Sequence, residues 1–178
     1  MKPKKLTNEK WGQWNYEVNV FGVMRMCKAF IPLLRKSRVS TIVQISSLSG
    51  IITTPYSGVY SATKFALEAY SDAMRAELSK QGIRVVSVQP GYFESEISNN
   101  SKKLKEKPNE IFEKNYPKFG KRAPLVKDPL PVAQLVHEAI KVKRPWPAYT
   151  VGGSERYLAL FLSNSPKFVQ DLLRNTMV

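Results

Sequence analysis

The residues best suited to chemistry are Tyr60 and Lys64, four positions apart, with Ser47 thirteen positions before the tyrosine. Positions i and i+4 share one face of a helix, so the phenol and the ammonium would project side by side. An ammonium stabilises phenolate, and we expect it to lower the pKa of Tyr60 from about 10 toward working pH. Such a tyrosine can move a proton to or from an alcohol oxygen, and Ser47 could hold that oxygen.

The elements around these residues place them at one end of a sheet. Residues 41–46 are short, apolar and β-branched, which predicts a buried strand ending just before Ser47. Residues 59–81 form the clearest predicted helix, ended by Gly82, and 83–89 form a second buried strand. Strand, helix and strand in this order predict a parallel βαβ unit with a right-handed crossover. Ligands bind at the carboxyl ends of such strands, where the chemistry-bearing residues fall.

The rest of the chain supplies further helices and one more strand. A long helix is predicted over residues 7–36, with Thr7 as its N-cap and a kink or early end at Pro32. The remaining predicted elements are a weak helix near 109–116, a helix over 131–143, a short third strand over 148–151, and helical residues 154–175 interrupted at 163–166. A stripe of small side chains would let the central helix approach a sheet or a partner helix; its members are Ala62, Ala66, Ala69, Ala73 and Ala76.

Composition favours one domain in a reducing compartment. The 178 residues are 43% hydrophobic, and no stretch reaches the roughly 18 apolar residues of a membrane span. Neither a secretory signal nor a possible intrachain disulfide is visible, since Cys27 is the single cysteine, so we expect a cytoplasmic location. His137 has no partner motif, and we expect no metal.

The net charge of +14 comes from clusters of basic residues at 2–10, 35–38, 102–127 and 141–144. A positive surface can attract nucleic acid or anionic lipid. These clusters fall near element ends and lack the interleaved aromatic residues typical of single-strand binders. We therefore favour a solvated surface, expect no nucleic-acid partner, and do not favour membrane association.

Several spaced motifs resemble the short-chain dehydrogenase/reductase family. They are the runs 45–50, 60–68 and 88–95, joined by 18–22 upstream and by 146–152, which is similar to hydroxysteroid and retinol dehydrogenases. The resemblance implies an α/β fold: the C-terminal portion of a Rossmann-like doubly wound parallel sheet, about three strands with flanking helices. The chain would be one partial domain over 1–178, with a substrate lid inserted at 92–130.

The resemblance also implies roles for individual residues. Tyr60 would be the acid/base, and Lys64 would lower its pKa and hold the nicotinamide ribose. Ser47 would position the substrate carbonyl or alcohol, and Asn19 would hold a water that links Lys64 to solvent. The cofactor, NAD or NADP, would meet Tyr60 and Lys64 together with Pro90, Gly91, Phe93 and Ser95, where Ser95 stands in place of the usual threonine. The residues expected to border the substrate are Ser49, Tyr56 and Tyr92.

Two features of the family are missing from the sequence. These are the Gly-rich turn that receives the cofactor's pyrophosphate, and the Asn-Ala-Gly segment that ends the fourth strand. The first third of a typical Rossmann domain is therefore expected to be absent, and the choice between NAD and NADP stays open. The strand over 41–46 would then present an unpaired apolar edge. We expect a homo-oligomer, a poorly soluble chain, or a chain completed by an N-terminal half on another polypeptide.

Three functions remain open on these grounds. The first is an NAD(P)-dependent oxidoreductase that interconverts an alcohol and a ketone or aldehyde, with a small lipophilic substrate. The second is a catalytically inactive remnant that acts as an interaction or oligomerisation module. The third is a binder of anionic surfaces whose C-terminal helix lies on lipid. For that helix we prefer a role in covering the core or a substrate channel.

Overall fold

A parallel three-stranded sheet forms the centre of the protein, in a computed structural model that describes residues 9–55, 57–93 and 128–175. Its strands are β1 (Ser40–Ile45), β2 (Ile83–Pro90) and β3 (Ala148–Val151), in the order β1-β2-β3. Both strand pairs are parallel, as the predicted βαβ unit requires. The predicted strands are confirmed to within one residue at each end, and the α/β class with them.

Six α-helices accompany the sheet in the described ranges. They are α1 (Glu9–Tyr16), α2 (Val23–Leu34), α3 (Gly58–Leu78), α4 (Leu130–Lys141), α5 (Glu155–Ser163) and α6 (Lys167–Asn175). The interruption predicted at 163–166 is confirmed, because α5 ends at Ser163 and α6 begins at Lys167. A short 3-10 turn follows α3 and ends at Gly82, whose φ of 73° lies in the left-handed region that glycine adopts without strain.

The long N-terminal helix is less regular than its sequence predicts. A π-helical segment, Glu17–Gly22, separates α1 from α2. The helix ends at Leu34, two residues after Pro32, in agreement with the predicted early end. Thr7, the helix predicted near 109–116 and most of the lid predicted over 92–130 lie outside the described residues.

Apolar side chains on both faces of β2 hold the layers together. On one face, Ile83 and Val85 pack with Met74 of α3 and Cys27 of α2 in a buried cluster. Alternate strand residues point to the opposite face, where Arg84 reaches the C-terminus of α4. Val86 and Val88 share that face and are almost fully buried. Burial on both faces explains why apolar residues occur at both odd and even positions of β2 instead of alternating with polar ones.

The alanine stripe of α3 does not face the sheet. Ser61, Thr63 and Lys64 lie on the buried face of α3 together with Leu67, Ser71, Met74 and Leu78. The alanines lie on the other side, exposed except for the half-buried Ala66. Of the two alternatives for the stripe, packing on the sheet is wrong, because the larger apolar residues of the same helix occupy that face, and packing on a partner helix stays a prediction.

β1 forms an edge of the sheet. Ser40 and Ser46 donate their backbone N–H groups to Gly82 and Val88, which shows that the even-numbered residues of β1 pair with β2. The N–H and C=O groups of Thr41, Val43 and Ile45 therefore point the other way. Within the described residues no strand pairs with that side.

Candidate active site

Ser47 and Tyr60 meet at the carboxyl end of β1. Ser47 follows β1 in an extended conformation, and its Oγ accepts a hydrogen bond from the N–H of Ser49 at 3.1 Å. That bond caps the short 3-10 turn Leu48–Gly50 and fixes the serine side chain. Tyr60 lies in the first turn of α3, where its phenol is close enough to the Ser47 side chain for the two to interact. The structure thus brings together two of the predicted catalytic residues.

The pKa of Tyr60 is raised, contrary to the expectation from its spacing to Lys64. Burial of the phenol raises the pKa, and the hydrogen bond with Ser47 lowers it by a smaller amount. The Lys64 Nζ lies 5.8 Å from the centroid of the Tyr60 ring, so the two side chains are neighbours as predicted. Desolvation disfavours the charged phenolate more than its surroundings stabilise it.

Lys64 is buried and bound to the edge strand. Its Nζ donates a hydrogen bond to the carbonyl oxygen of Ile45 at 2.9 Å, one of the groups that point away from β2. Burial lowers the pKa of Lys64 to about 8, and the carboxylate of Glu68 acts against this shift. Glu68 in turn accepts a hydrogen bond from Gln89 of β2 at 3.0 Å. Lys64, which projects from α3, is therefore bound to the end of β1, close to the Tyr60 phenol.

Asn19 reaches the same helix turn from the π-helical segment. Its Nδ2 donates to Thr63 Oγ1 at 3.1 Å, and Thr63 Oγ1 donates to the carbonyl oxygen of Tyr60 at 2.7 Å. The asparagine side chain thus supports the turn that carries Tyr60. π-helical turns are frequent at functional sites, and their irregular hydrogen bonding is not visible in a helical sequence pattern. The water link from Asn19 to Lys64 stays a prediction.

The carboxyl end of β2 lies next to the end of β3. Pro90 pairs with Val151, and the N–H of Gly91 donates to the carbonyl oxygen of Val151 at 2.7 Å. Phe93 is half-buried, whereas Tyr92 has 40% of its surface exposed. Pro90 thus ends β2 and Gly91 follows it directly, and the contact of these residues with a cofactor stays a prediction. Two predicted site residues, Tyr56 and Ser95, lie outside the described residues.

Glu155 is a site residue that sequence reasoning missed. Its Oε1 accepts hydrogen bonds from the N–H of Gly153 at 2.9 Å and of Tyr92 at 3.3 Å. A side chain on Gly91 would collide with the same carboxylate oxygen, so the glycine makes room for it. The available signal was the Gly152-Gly153 pair that precedes an acidic residue at the start of α5.

The family model described as short chain dehydrogenase matches residues 2–106, which contain all of the residues around Tyr60. The chain belongs to this family. It is 43% identical over 95 residues to the 3-ketodihydrosphingosine reductase of Bacteroides thetaiotaomicron, covering 53% of this chain and 35% of that protein. It is 28% identical over 173 residues to the retinol dehydrogenase 16 of Homo sapiens, covering 88% of this chain and 54% of that protein.

Solved structures agree with the fold of this short chain dehydrogenase. A short-chain dehydrogenase from Streptomyces avermitilis superposes with a TM-score of 0.72 at 27% identity, covering 88% of this chain and 58% of that one. The match confirms the Rossmann-like α/β fold. The chain thus spans about a third to a little over half of the relatives' length.

A nicotinamide cofactor fits part of this site. The Tyr60 hydroxyl, the Lys64 ammonium and the open strand end at Pro90 and Gly91 suit the nicotinamide and its ribose. The diphosphate requires N–H groups at a Gly-rich helix start. In the described part of the chain, the Gly152-Gly153 turn comes nearest to that description, and the N–H of Gly153 is already bound to the carboxylate of Glu155. A diphosphate site is therefore not formed by these residues.

The described residues contain neither a metal-binding cluster nor a helix suited to crossing a membrane. Residues 9–55, 57–93 and 128–175 contain no group of three or more side chains that could hold a metal ion. Among the helices of the same ranges, none combines the length and the apolar character needed to cross a membrane.

Proposed function

We propose that this short chain dehydrogenase is the catalytic part of an NAD(P)-dependent oxidoreductase that interconverts an alcohol and a ketone or aldehyde. The observation that carries the proposal is the closeness of the Tyr60 phenol to the Ser47 side chain at a strand end, with Lys64 beside the phenol. An oxygen placed between the two hydroxyls would touch both a proton source and a second hydrogen-bond donor.

Tyr60, Ser47 and Lys64 would each have one role in the reaction. A nicotinamide held at this site would supply or accept the hydride at the substrate carbon. In reduction, the Tyr60 hydroxyl would give its proton to the carbonyl oxygen of the substrate, which becomes the alcohol oxygen. The Ser47 hydroxyl holds the same oxygen, and the neighbouring Lys64 ammonium stabilises the phenolate that remains. Oxidation is the reverse sequence, with the phenolate accepting the alcohol proton.

The protonation state of Tyr60 at neutral pH suits the acid role. Burial raises the pKa of Tyr60, so the phenol keeps its proton and can act as the acid of a reduction. Of the two relatives, one is named a reductase and the other a dehydrogenase, so their names favour neither direction. For the substrate we propose a small lipophilic alcohol or the corresponding ketone or aldehyde, a class supported by the retinol and ketodihydrosphingosine named in the two relatives.

Substitution of the phenol tests this proposal. Tyr60→Phe should abolish dinucleotide-dependent reduction of a lipophilic ketone, because the proton donor is lost while the ring remains. Tyr70→Phe removes a phenol from the same helix, away from Ser47, and should leave the rate unchanged. Activity would be followed by the absorbance of the reduced nicotinamide, and dinucleotide binding by its fluorescence. Equal rates in wild type and Tyr60→Phe, with dinucleotide bound, would favour the interaction-module alternative.

The open edge of β1 supports a second part of the proposal, which concerns the partner. Apolar side chains lie exposed along this edge and the adjacent α2: Ile45 is 48% exposed and Phe30 49%. A groove of about 610 Å³ runs between α2 and β1, lined by Met26, Phe30 and Val43 among others. We propose that a further apolar strand, carried by a complementing N-terminal half, pairs with β1 and fills this groove.

Such a strand would change the partner of Lys64. The backbone carbonyl of Ile45 points toward the open edge and now accepts the Lys64 ammonium. A strand that pairs with β1 competes for that carbonyl and leaves the ammonium free to hold a ribose hydroxyl. Sedimentation of the purified chain provides the test. Self-association or aggregation agrees with an open edge, whereas a stable, monodisperse monomer contradicts it.

A further inference from the structure

The amino ends of the three strands form a basic surface, on the opposite side of the sheet from Tyr60. Because all strands are parallel, the segments that precede them meet at one edge. These segments are 35–39, 79–82 and 141–147, and none of them contains an acidic residue. Their exposed basic residues are Arg35, Lys36, Arg38, Lys80, Lys141, Lys143 and Arg144.

No carboxylate in the described residues neutralises these seven side chains by an ion pair. The ion pairs found there join other residues, such as Arg75 with Asp72 and Arg174 with Asp171. Arg35 forms a hydrogen bond with the neutral side chain of Gln81. Positive charge is therefore concentrated at this edge with no local compensation.

A cleft of about 500 Å³ opens within this surface. Its basic lining residues include Arg84, Lys143 and Arg144. Val39, Pro145 and Pro147 form its apolar walls. Arg75 also lines the cleft, but its guanidinium already pairs with Asp72. The volume suits a small headgroup rather than an extended chain.

Arg84 is held rigidly at the cleft. Its two terminal nitrogens donate to the carbonyl oxygens of Val142, Ile140 and Lys143 and to Thr41 Oγ1, at 2.6–3.3 Å. These bonds cap the end of α4 and fix the plane of the guanidinium. Because the terminal N–H groups are used within the protein and the Nε is buried, Arg84 contributes a fixed positive charge to the cleft rather than hydrogen-bond donors.

We propose that this cleft binds a phosphate-bearing ligand. A phosphate group offers several acceptor oxygens and a charge of −1 to −2, which match the exposed side chains of Lys143 and Arg144 beside the fixed positive charge of Arg84. A monoanionic carboxylate would satisfy fewer of the donors of Lys143 and Arg144. The site is separate from the proposed nicotinamide site near Tyr60, because it lies at the amino ends of the strands and not at their carboxyl ends.

Binding of defined probes tests the proposal and identifies the source of the phosphate. The purified full chain would be titrated with inorganic pyrophosphate by calorimetry, and mixed with phosphatidylcholine vesicles with and without phosphatidic acid. The double variant Lys143→Ala/Arg144→Ala should bind the responding probe at least about tenfold more weakly. Both side chains are exposed, so folding should be retained.

The matched control removes the same charge elsewhere. Lys28→Ala/Lys167→Ala takes two exposed cations from α2 and α6 and should leave the affinity within about twofold. Tyr60→Phe should also bind normally, which separates this site from the proposed reaction. A soluble phosphate source is indicated if pyrophosphate binds, and a lipid source if only the phosphatidic acid vesicles bind. Equal losses in the two double variants, binding of an oligonucleotide alone, or no binding of either probe would overturn the proposal.

Discussion

Replacing Lys64 by Met should change how stability depends on pH. The folded protein lowers the pKa of Lys64 from 10.5 to about 8, because the ammonium is buried. A difference of that size corresponds to about 3 kcal/mol at roughly 1.4 kcal/mol per pH unit. The hydrogen bond to Ile45 and the carboxylate of Glu68 are already included in this balance. Burial of the charged lysine thus opposes folding at neutral pH.

The direction of the effect follows from the protons bound in each state. Between pH 8 and pH 10.5 the unfolded chain keeps the Lys64 proton and the folded chain releases it. Stability of the wild type therefore rises with pH in this window, and the gain is lost as pH falls through about 8. Lys64→Met has no proton to release. From about pH 7 to about pH 9.5, the wild type should gain about 2 kcal/mol relative to the variant.

Urea unfolding across this pH range measures the difference. Lys80→Met removes an exposed lysine from the turn after α3 and should follow the wild type at every pH. At each pH, the free energy of unfolding of Lys64→Met is subtracted from that of the wild type. Groups that titrate alike in both proteins cancel in this difference, and the raised pKa of Tyr60 places its ionisation above the range. A difference between wild type and Lys64→Met that stays constant within about 0.5 kcal/mol would refute the burial argument.

Three substitutions test the local geometry. Gly82→Ala places a side chain at a φ of 73° and should cost about 1 kcal/mol in urea unfolding, whereas Gly58→Ala, with open space around it, should cost less. An equal cost at both positions would contradict the left-handed turn. Gly50→Ala puts a Cβ 2.8 Å from Ser46 Oγ and should lower stability by about 1–3 kcal/mol. An unchanged melting temperature would show that the turn adjusts to the side chain without cost. Glu155→Gln removes the charge that two N–H groups share and should lower the free energy of unfolding by about 1–3 kcal/mol. An unchanged free energy of unfolding would show that the carboxylate charge contributes nothing at this turn.

The sheet and its order were accessible from sequence because their signals are local. Each strand is a β-branched run bounded by breakers such as Gly82 and Pro90. The spacing of Ser47 and Tyr60 from those boundaries was enough to place both at the carboxyl end of β1. Local pattern and tertiary placement agree here, so the prediction required no knowledge of long-range contacts.

The features missed depend on contacts that no local pattern encodes. The π-helical turn at Asn19 has the same apolar period as an α-helix. The alanines of α3 suggested a close approach to the sheet, but Leu67 and Met74 on the opposite side bury more apolar surface there. The direction of the pKa change at Tyr60 was wrong because spacing reports the nearby ammonium and not the depth of burial.

One backbone group connects the proposed chemistry to the proposed partner. The Ile45 carbonyl is both the group that an added strand would pair with and the group that now holds Lys64. While the edge is open, the ammonium stays buried against that carbonyl, and its pKa of about 8 reflects this confinement. A strand on β1 would give the carbonyl another donor and would free one N–H of the Lys64 ammonium to bind a group on the proposed ribose side of the site. The proposed acid/base residues thus lie together in this chain, and under this proposal the β1 edge determines whether Lys64 binds the Ile45 carbonyl or the ribose.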